Sequence, residues 1–331
     1  MTRMSASYVI KRLGMSILVL WILVTFLFAM TMLLPGGLES HFASAELESS
    51  AQDEVQGDFS VDDSIASQYV SWTANYMTFD FGYSTQTAEP VTEVIMRRLP
   101  RTLALFGTAF LINYTLGTIA GIHLGWDRGS AKDTAGFIAG LSMYSLPFFW
   151  VGWLFLLFFS FEGFGIDLFP MAHMTTPFVS EFTALQLMLD VLWHLILPAF
   201  SLVVVGWAGA MLVTRTAMQD VTDKPFIRTA RAKGLSNTEI KYKHAGRNAL
   251  IPVVTQGMIA IAFIFDGAII VETLFSWPGM GELMVDSILE QDYPVAMASF
   301  YMFGVLIVTL RLLTDVVYTY LDPRIKFGDT E

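Results

Sequence analysis

Residues 13–34 read LGMSILVLWILVTFLFAMTMLL, a run without a single charged side chain. As a helix rising 1.5 Å per residue it covers about 33 Å, the thickness of a bilayer's hydrocarbon core. Further charge-free stretches run from Thr102 to Trp126, Thr134 to Phe161, Val191 to Thr214, Asn248 to Phe265 and Tyr293 to Leu310. The last two are expected to continue through isolated charges to about Val271 and Leu321, because a spanning helix needs about 20 residues. The chain therefore reads as an all-α polytopic membrane protein with six transmembrane helices, near residues 9–34, 102–126, 134–161, 191–214, 249–271 and 294–321. Composition agrees: of 331 residues 54% are apolar and 15% charged, against about 25% charged in soluble globular proteins. A soluble α/β enzyme is excluded. The absence of Cys removes disulfides, thiolate metal sites and cysteine nucleophiles. The first apolar run is too long for a cleaved signal, and Leu34-Pro35-Gly36-Gly37 is not a small-x-small site, so it is expected to stay as an anchor.

Orientation follows from Lys and Arg, which accumulate in cytoplasmic segments. With the N-terminus inside, the inner segments hold Arg3, Lys11, Arg12, Arg128, Lys132, Arg215, Lys224, Arg228, Arg231, Lys233, Lys241, Lys243, Arg247, Arg324 and Lys326, which is 15 of the 19 basic residues. The exceptions are Arg97, Arg98 and Arg101 at the outer mouth of the second span and Arg311 within the sixth. Both termini are expected to be cytoplasmic. The net charge of -11 is concentrated outside, with 11 acidic residues between Glu39 and Glu93. Such a face fits hydration in concentrated salt better than repulsion of anionic substrates or attraction of cations.

No internal repeat divides residues 1–331, so one membrane domain is expected. Its long outer loop, 36–99, begins acidic and Ser-rich, then turns aromatic at Tyr69, Trp72, Tyr76, Phe79, Phe81 and Tyr83, as a small lid over the outer helix ends would. A second outer loop carries Pro170 and Pro177 and a short apolar helix over Phe182 to Leu189.

The cytoplasmic segment 224–248 is the most informative. Pro225 suits the first turn of a helix, where its missing N–H costs nothing, and Gly234 suits the position just past a helix end, where φ is positive. Ser236 followed by Glu239 matches a capping box and predicts a second helix. A helix-turn-helix is expected in the cytosol. On its first helix Phe226, Ile227 and Ala230 share a face while Arg228, Arg231 and Lys233 project elsewhere, and Ala230 and Ala232 admit a close neighbour. This suits a docking surface; an ordinary basic loop gripping anionic headgroups accounts for the charges equally well.

Here the sequence resembles the permease subunits of binding-protein-dependent ABC importers, in the dipeptide/oligopeptide branch. Arg228-Thr229-Ala230-Arg231-Ala232-Lys233-Gly234 followed by Arg247-Asn248-Ala249-Leu250-Ile251-Pro252 resembles that family's EAA loop, with Arg228 and Thr229 where the name implies Glu and Ala. Phe81-Gly82-Tyr83-Ser84, Arg98-Leu99-Pro100-Arg101-Thr102-Leu103, Ser145 to Trp150, Glu272 to Gly281 and Asp322-Pro323-Arg324 match as well. The long segment after the first span resembles the first of the two permeases in such systems. The resemblance implies a second permease subunit, two cytoplasmic ATPase subunits that bind ATP and Mg, and an extracellular solute-binding protein, with no nucleic acid. It also implies that Phe226, Ile227, Arg228, Thr229, Ala230, Arg231, Lys233, Gly234, Ser236 and Glu239 carry the coupling to the ATPase.

No G-x-x-x-x-G-K-[ST] loop, H-E-x-x-H or G-x-S-x-G is present, so no cofactor or metal is expected in this chain and the energy must come from a partner. Intramembrane polar groups are the remaining candidates, since a mid-bilayer charge costs about 2.5–3.5 kcal/mol on insertion scales. Arg311 and Asp315 stand four residues apart and are expected to pair. Asp266, Asn113 and His194 are candidates for the translocation path. The competing reading is a stand-alone secondary transporter or channel with Asp266 or Asp315 as its relay. It lacks the inverted repeats common in such proteins and has no use for the capped cytoplasmic helix.

Overall fold

A computed structural model describes residues 6–33, 64–160, 166, 168–262 and 268–321. Among these residues the only ordered elements of any length are helices. In chain order they are α1 (Ala6–Leu33), α2 (Ile65–Met77), α3 (Val91–Trp126), α4 (Ala131–Tyr144), α5 (Phe148–Phe159), α6 (Ala184–Thr222), α7 (Pro225–Ala232), α8 (Arg247–Ala262), α9 (Ala268–Leu274), α10 (Met280–Leu289) and α11 (Tyr293–Leu321). A single turn, Asn237–Glu239, and a π-helical segment, Ile240–Gly246, connect α7 to α8.

Four helices are long and apolar enough to cross a bilayer, at Ile10–Leu33, Val91–Trp126, Ala184–Thr222 and Tyr293–Asp315. The expected third span is not one rod: α4 and α5 meet at an angle of 93°. Pro147 stands immediately before α5 and cannot donate the backbone bond that would continue α4. The expected fifth span, 249–271, includes 263–267, which lie outside the described residues, as does the first half of the 36–99 loop. Two other boundaries move. The second span begins eleven residues earlier than expected, at Val91, and keeps its helix through Pro100. The short helix expected over Phe182 to Leu189 is the start of α6, opened by a full capping box between Thr183 and Gln186.

The residues gather into two compact units, one built from Met1–Thr102 and Pro278–Thr319, the other from Leu103–Trp277. In the first unit α1 packs against α2 and α11. The aromatic residues of the 36–99 loop pack around α2: Trp72 stacks on Tyr76 at 4.4 Å, Phe28 of α1 meets Tyr69 edge-on at 5.3 Å, and Tyr301 of α11 meets Tyr76 at 5.3 Å. Burial, and then the Tyr301 phenol beside it, push the Tyr76 hydroxyl well above the usual phenol range. Ser84 donates to Asp292 Oδ2 at 2.5 Å while the Thr85 N–H bonds Oδ1 at 3.2 Å, which pins the 84–90 turn to the start of α11. Of the arginines expected to break the charge rule, Arg97 pairs with Glu89 and Arg98 with Glu282 at 3.0 Å.

One expectation is overturned in this unit. Asp315 does not pair with Arg311, which is exposed. Its carboxylate instead takes both forks of the Arg12 guanidinium from α1, one of them at 2.7 Å. A bidentate fork from a facing helix gives two charge-assisted bonds, which a same-helix neighbour four residues away is poorly placed to match.

In the second unit α6 is the mast on which α4, α5 and α8 pack. The α3 contact is set by glycines four residues apart. A Cβ at Gly117 would lie 2.6 Å from Ala210 Cβ, one at Gly121 2.6 Å from the Met211 carbonyl oxygen, and one at Gly125 2.6 Å from the Arg215 carbonyl oxygen. Only glycine admits so close a backbone approach, and within a bilayer such packing is a main source of helix association. At the end where α3 leads into α4, Arg215 of α6 holds Asp133 at the start of α4 through bonds of 2.5 and 2.9 Å.

Candidate functional site: the docking helix and a polar cavity

Two places in the second unit carry residues singled out by the sequence. The first is α7. Pro225 occupies its first turn, as expected, and the chain leaves it through Gly234 at φ +76°. The Gly234 N–H bonds the Arg231 carbonyl at 3.0 Å and the Leu235 N–H reaches the Ala230 carbonyl at 3.4 Å. This is the Schellman pair, which satisfies carbonyls a helix end otherwise leaves open. Leu235 then folds back onto the same apolar cluster that holds Ala230. Nothing lies within 4 Å of a Cβ placed on Gly234, so its requirement is purely one of backbone angle.

The inner face of α7 is sealed. Ile227 and Ala230 are buried against Ile122 of α3, Ala217 and Met218 of α6, Ile240 and Ala245 of the π segment, and Ala249 of α8. Phe226, Arg228, Thr229, Arg231, Ala232 and Lys233 are exposed. The face expected to hold Phe226, Ile227 and Ala230 together is thus divided, and Ala230 is small to fit this protein's own core rather than a visiting surface. Arg231 lies 5.9 Å over the Trp126 ring, so its guanidinium is held against α3 while remaining accessible.

Beyond the turn, Ser236 accepts from the Glu239 N–H at 3.2 Å. That is half of the expected box, since the Glu239 carboxylate goes to Lys243 at 3.5 Å. The second helix opens with one turn and then widens into the π segment, a rare element concentrated at functional sites. Its Lys241 and Tyr242 flank His123 of α3, with Lys241 Nζ 2.9 Å from Nδ1 and the Tyr242 hydroxyl 2.9 Å from Nε2. The π geometry was not legible, because every residue in Ile240–Gly246 is compatible with an ordinary helix.

The second place is a cavity of about 370 Å³ walled by α3, α4, α5, α6 and α8. Asn113 lines it, and Asn113 Oδ1 is buried without a hydrogen-bond partner. His194 is elsewhere: it is buried, and its Nδ1 lies 2.8 Å from the Asp190 carbonyl oxygen of the preceding turn. That contact gives it a local structural role. Asp266 lies outside the described residues. Tyr114, Tyr144 and Gln256 also line the cavity; polar side chains within charge-free spans were the signal for them in the sequence.

Comparison with known proteins covers nearly the whole chain. Residues 114–327 match the family described as binding-protein-dependent transport system inner membrane component, and residues 5–106 match the corresponding N-terminal family. The chain is 34% identical over 323 residues to the oligopeptide transport system permease protein AppB of Bacillus subtilis, covering 97% of this chain and all of the relative. It is 32% identical to the di/tripeptide transport system permease protein DppB of Pseudomonas aeruginosa, over 97% of this chain and 98% of the relative. The dipeptide transport system permease protein DppB of Bacillus subtilis is also 32% identical, with the same coverage.

Proposed function

The chain belongs to the inner-membrane components of binding-protein-dependent transport systems, and from that premise we propose that it is one permease subunit of an ATP-driven importer of peptides. It pairs with a second permease to enclose the pathway, and a solute-binding protein delivers substrate on the outer face. Two ATPase subunits dock in the cytosol, one of them on the outward face of α7, and both termini lie on that side. ATP and Mg are bound by those ATPase subunits; this chain is itself no enzyme.

The observation that carries this reading is the division of α7 into a sealed inner face and a basic, accessible outer one. A lever must be rigid along its length, fixed to what it moves and open to what moves it. The Schellman turn supplies the first, the Ile227–Ala230 anchorage the second, and Arg228, Arg231 and Lys233 the third. ATP-driven closure of the ATPase pair then shifts α7, and with it the ends of α3, α6 and α8, so that the pathway opens alternately to each side. The relatives named for oligopeptides, dipeptides and tripeptides support peptides as the substrate class. The Arg12 fork gives Asp315 a structural partner, which weighs against its use as the relay of a self-sufficient transporter.

Reconstitution tests the reading. Liposomes holding this chain with its partner permease, ATPases and binding protein should accumulate dipeptide only with ATP inside the cytosolic compartment, and liposomes holding this chain alone should accumulate none. Uptake by the lone chain would refute it.

A further inference from the structure

The cavity in the second unit is built as a binding site. Asn113 and Tyr114 lie in the charge-free stretch Thr102–Trp126 of α3, which places the cavity within the membrane-spanning part of the chain. Three of its polar side chains are each seated on a glycine of another helix. A Cβ at Gly206 would lie 2.8 Å from Asn113 Cγ, one at Gly257 2.9 Å from Tyr114 Cε1, and one at Gly209 3.1 Å from Tyr144 Cε2. Any larger residue at these glycines would push the amide and the phenols out of place. The 93° break between α4 and α5 adds Tyr144 and Phe148 from its two sides. Gln256 of α8 contributes a second amide.

Among the described residues, no Asp, Glu, Lys, Arg or His lines this space. A charged group entering it would lose its hydration without a counter-charge, whereas an apolar body with a neutral donor and acceptor would meet aromatic walls and unspent amides. Asn113 Oδ1 is buried without a partner among the described residues, so a rotation of the amide toward the cavity would let such a ligand satisfy it. We propose that this cavity is a selectivity pocket of the translocation path, which takes an uncharged side chain of the transported peptide together with its adjoining peptide group. Apolar and aromatic side chains fill its walls, and the amides of Asn113 and Gln256 hold the peptide N–H and carbonyl. The inference rests on the peptide-permease reading above.

The test uses the complete importer in proteoliposomes, with dialanine and alanyl-phenylalanine as paired substrates. Because the binding protein is unaltered, any change in preference originates in the permease. Ala260→Phe fills the cavity and should lower the ratio of alanyl-phenylalanine to dialanine uptake at least tenfold. Ala260→Leu fills less of it and should lower the same ratio at least threefold. It also serves where the bulkier variant does not assemble. Unchanged ratios in the variants that assemble would overturn the pocket, and this is the result expected if a side chain of the second permease or a lipid tail occupies the space. No ATP-dependent peptide uptake by the unmodified importer would instead remove the peptide reading, and the pocket with it.

Discussion

Two short helices lie beside the spanning ones, and they are held in opposite ways. α2 is clamped by large rings: Trp72 and Tyr76 are almost fully buried and stack on each other, with Phe28, Phe81 and Tyr301 around them. α7 is seated by one isoleucine and one alanine in a shallow aliphatic cluster, and its remaining side chains face outward. A clamp of aromatic rings fixes a lid. A small apolar footprint with a rigid cap suits the force-transmitting role proposed for α7.

Removing the clamp should have the largest effect. Trp72→Ala is expected to cost about 3–5 kcal/mol through lost burial and a residual cavity, read as a lower thermal midpoint in detergent and faster proteolysis after Met77. ATP-driven uptake by the surviving protein should persist; its loss would show that the lid, too, belongs to the coupling. Ile227→Ala comes next, at about 2–4 kcal/mol. Here uptake and stability should fall together, because the anchor of the lever is what is lost.

Gly234→Val strains a left-handed position by about 1–2 kcal/mol or somewhat more. The chain should still insert and bind the second permease, while ATP hydrolysis and uptake become uncoupled. Normal uptake at normal abundance would remove the turn from the mechanism. The smallest stability change is expected from Arg231→Ala, about 0.5–1 kcal/mol from the exposed guanidinium–indole contact. Its informative readout is weaker co-purification of the ATPase subunits at moderate salt, with a thermal midpoint close to that of the unmodified chain.

The elements the sequence made legible are those written in local terms. Pro225, Gly234 and Ser236 act on their own backbone and immediate neighbours, so the start, end and turn around α7 could be read directly. The rest required knowing what stands opposite. Gly117, Gly121 and Gly125 recur every fourth residue, yet their role is visible only once the α6 backbone is set against them. Phe226 and Ile227 are adjacent and similarly apolar, and the fold alone buries one and exposes the other. The cavity joins residues from Phe106 to Ala260, a set that no window of sequence can assemble.

By itself the sequence determined that this chain is a helical multi-pass membrane protein and where α7 begins and ends. Those properties follow from hydropathy, charge and capping, which sum over neighbouring residues. Only the tertiary structure decided that Asp315 answers to Arg12 across 303 residues rather than to Arg311 one turn away, that the third span bends, and that Asn113 faces an open space. Each of these depends on competition between distant partners for the same atoms, and geometry in three dimensions settles it.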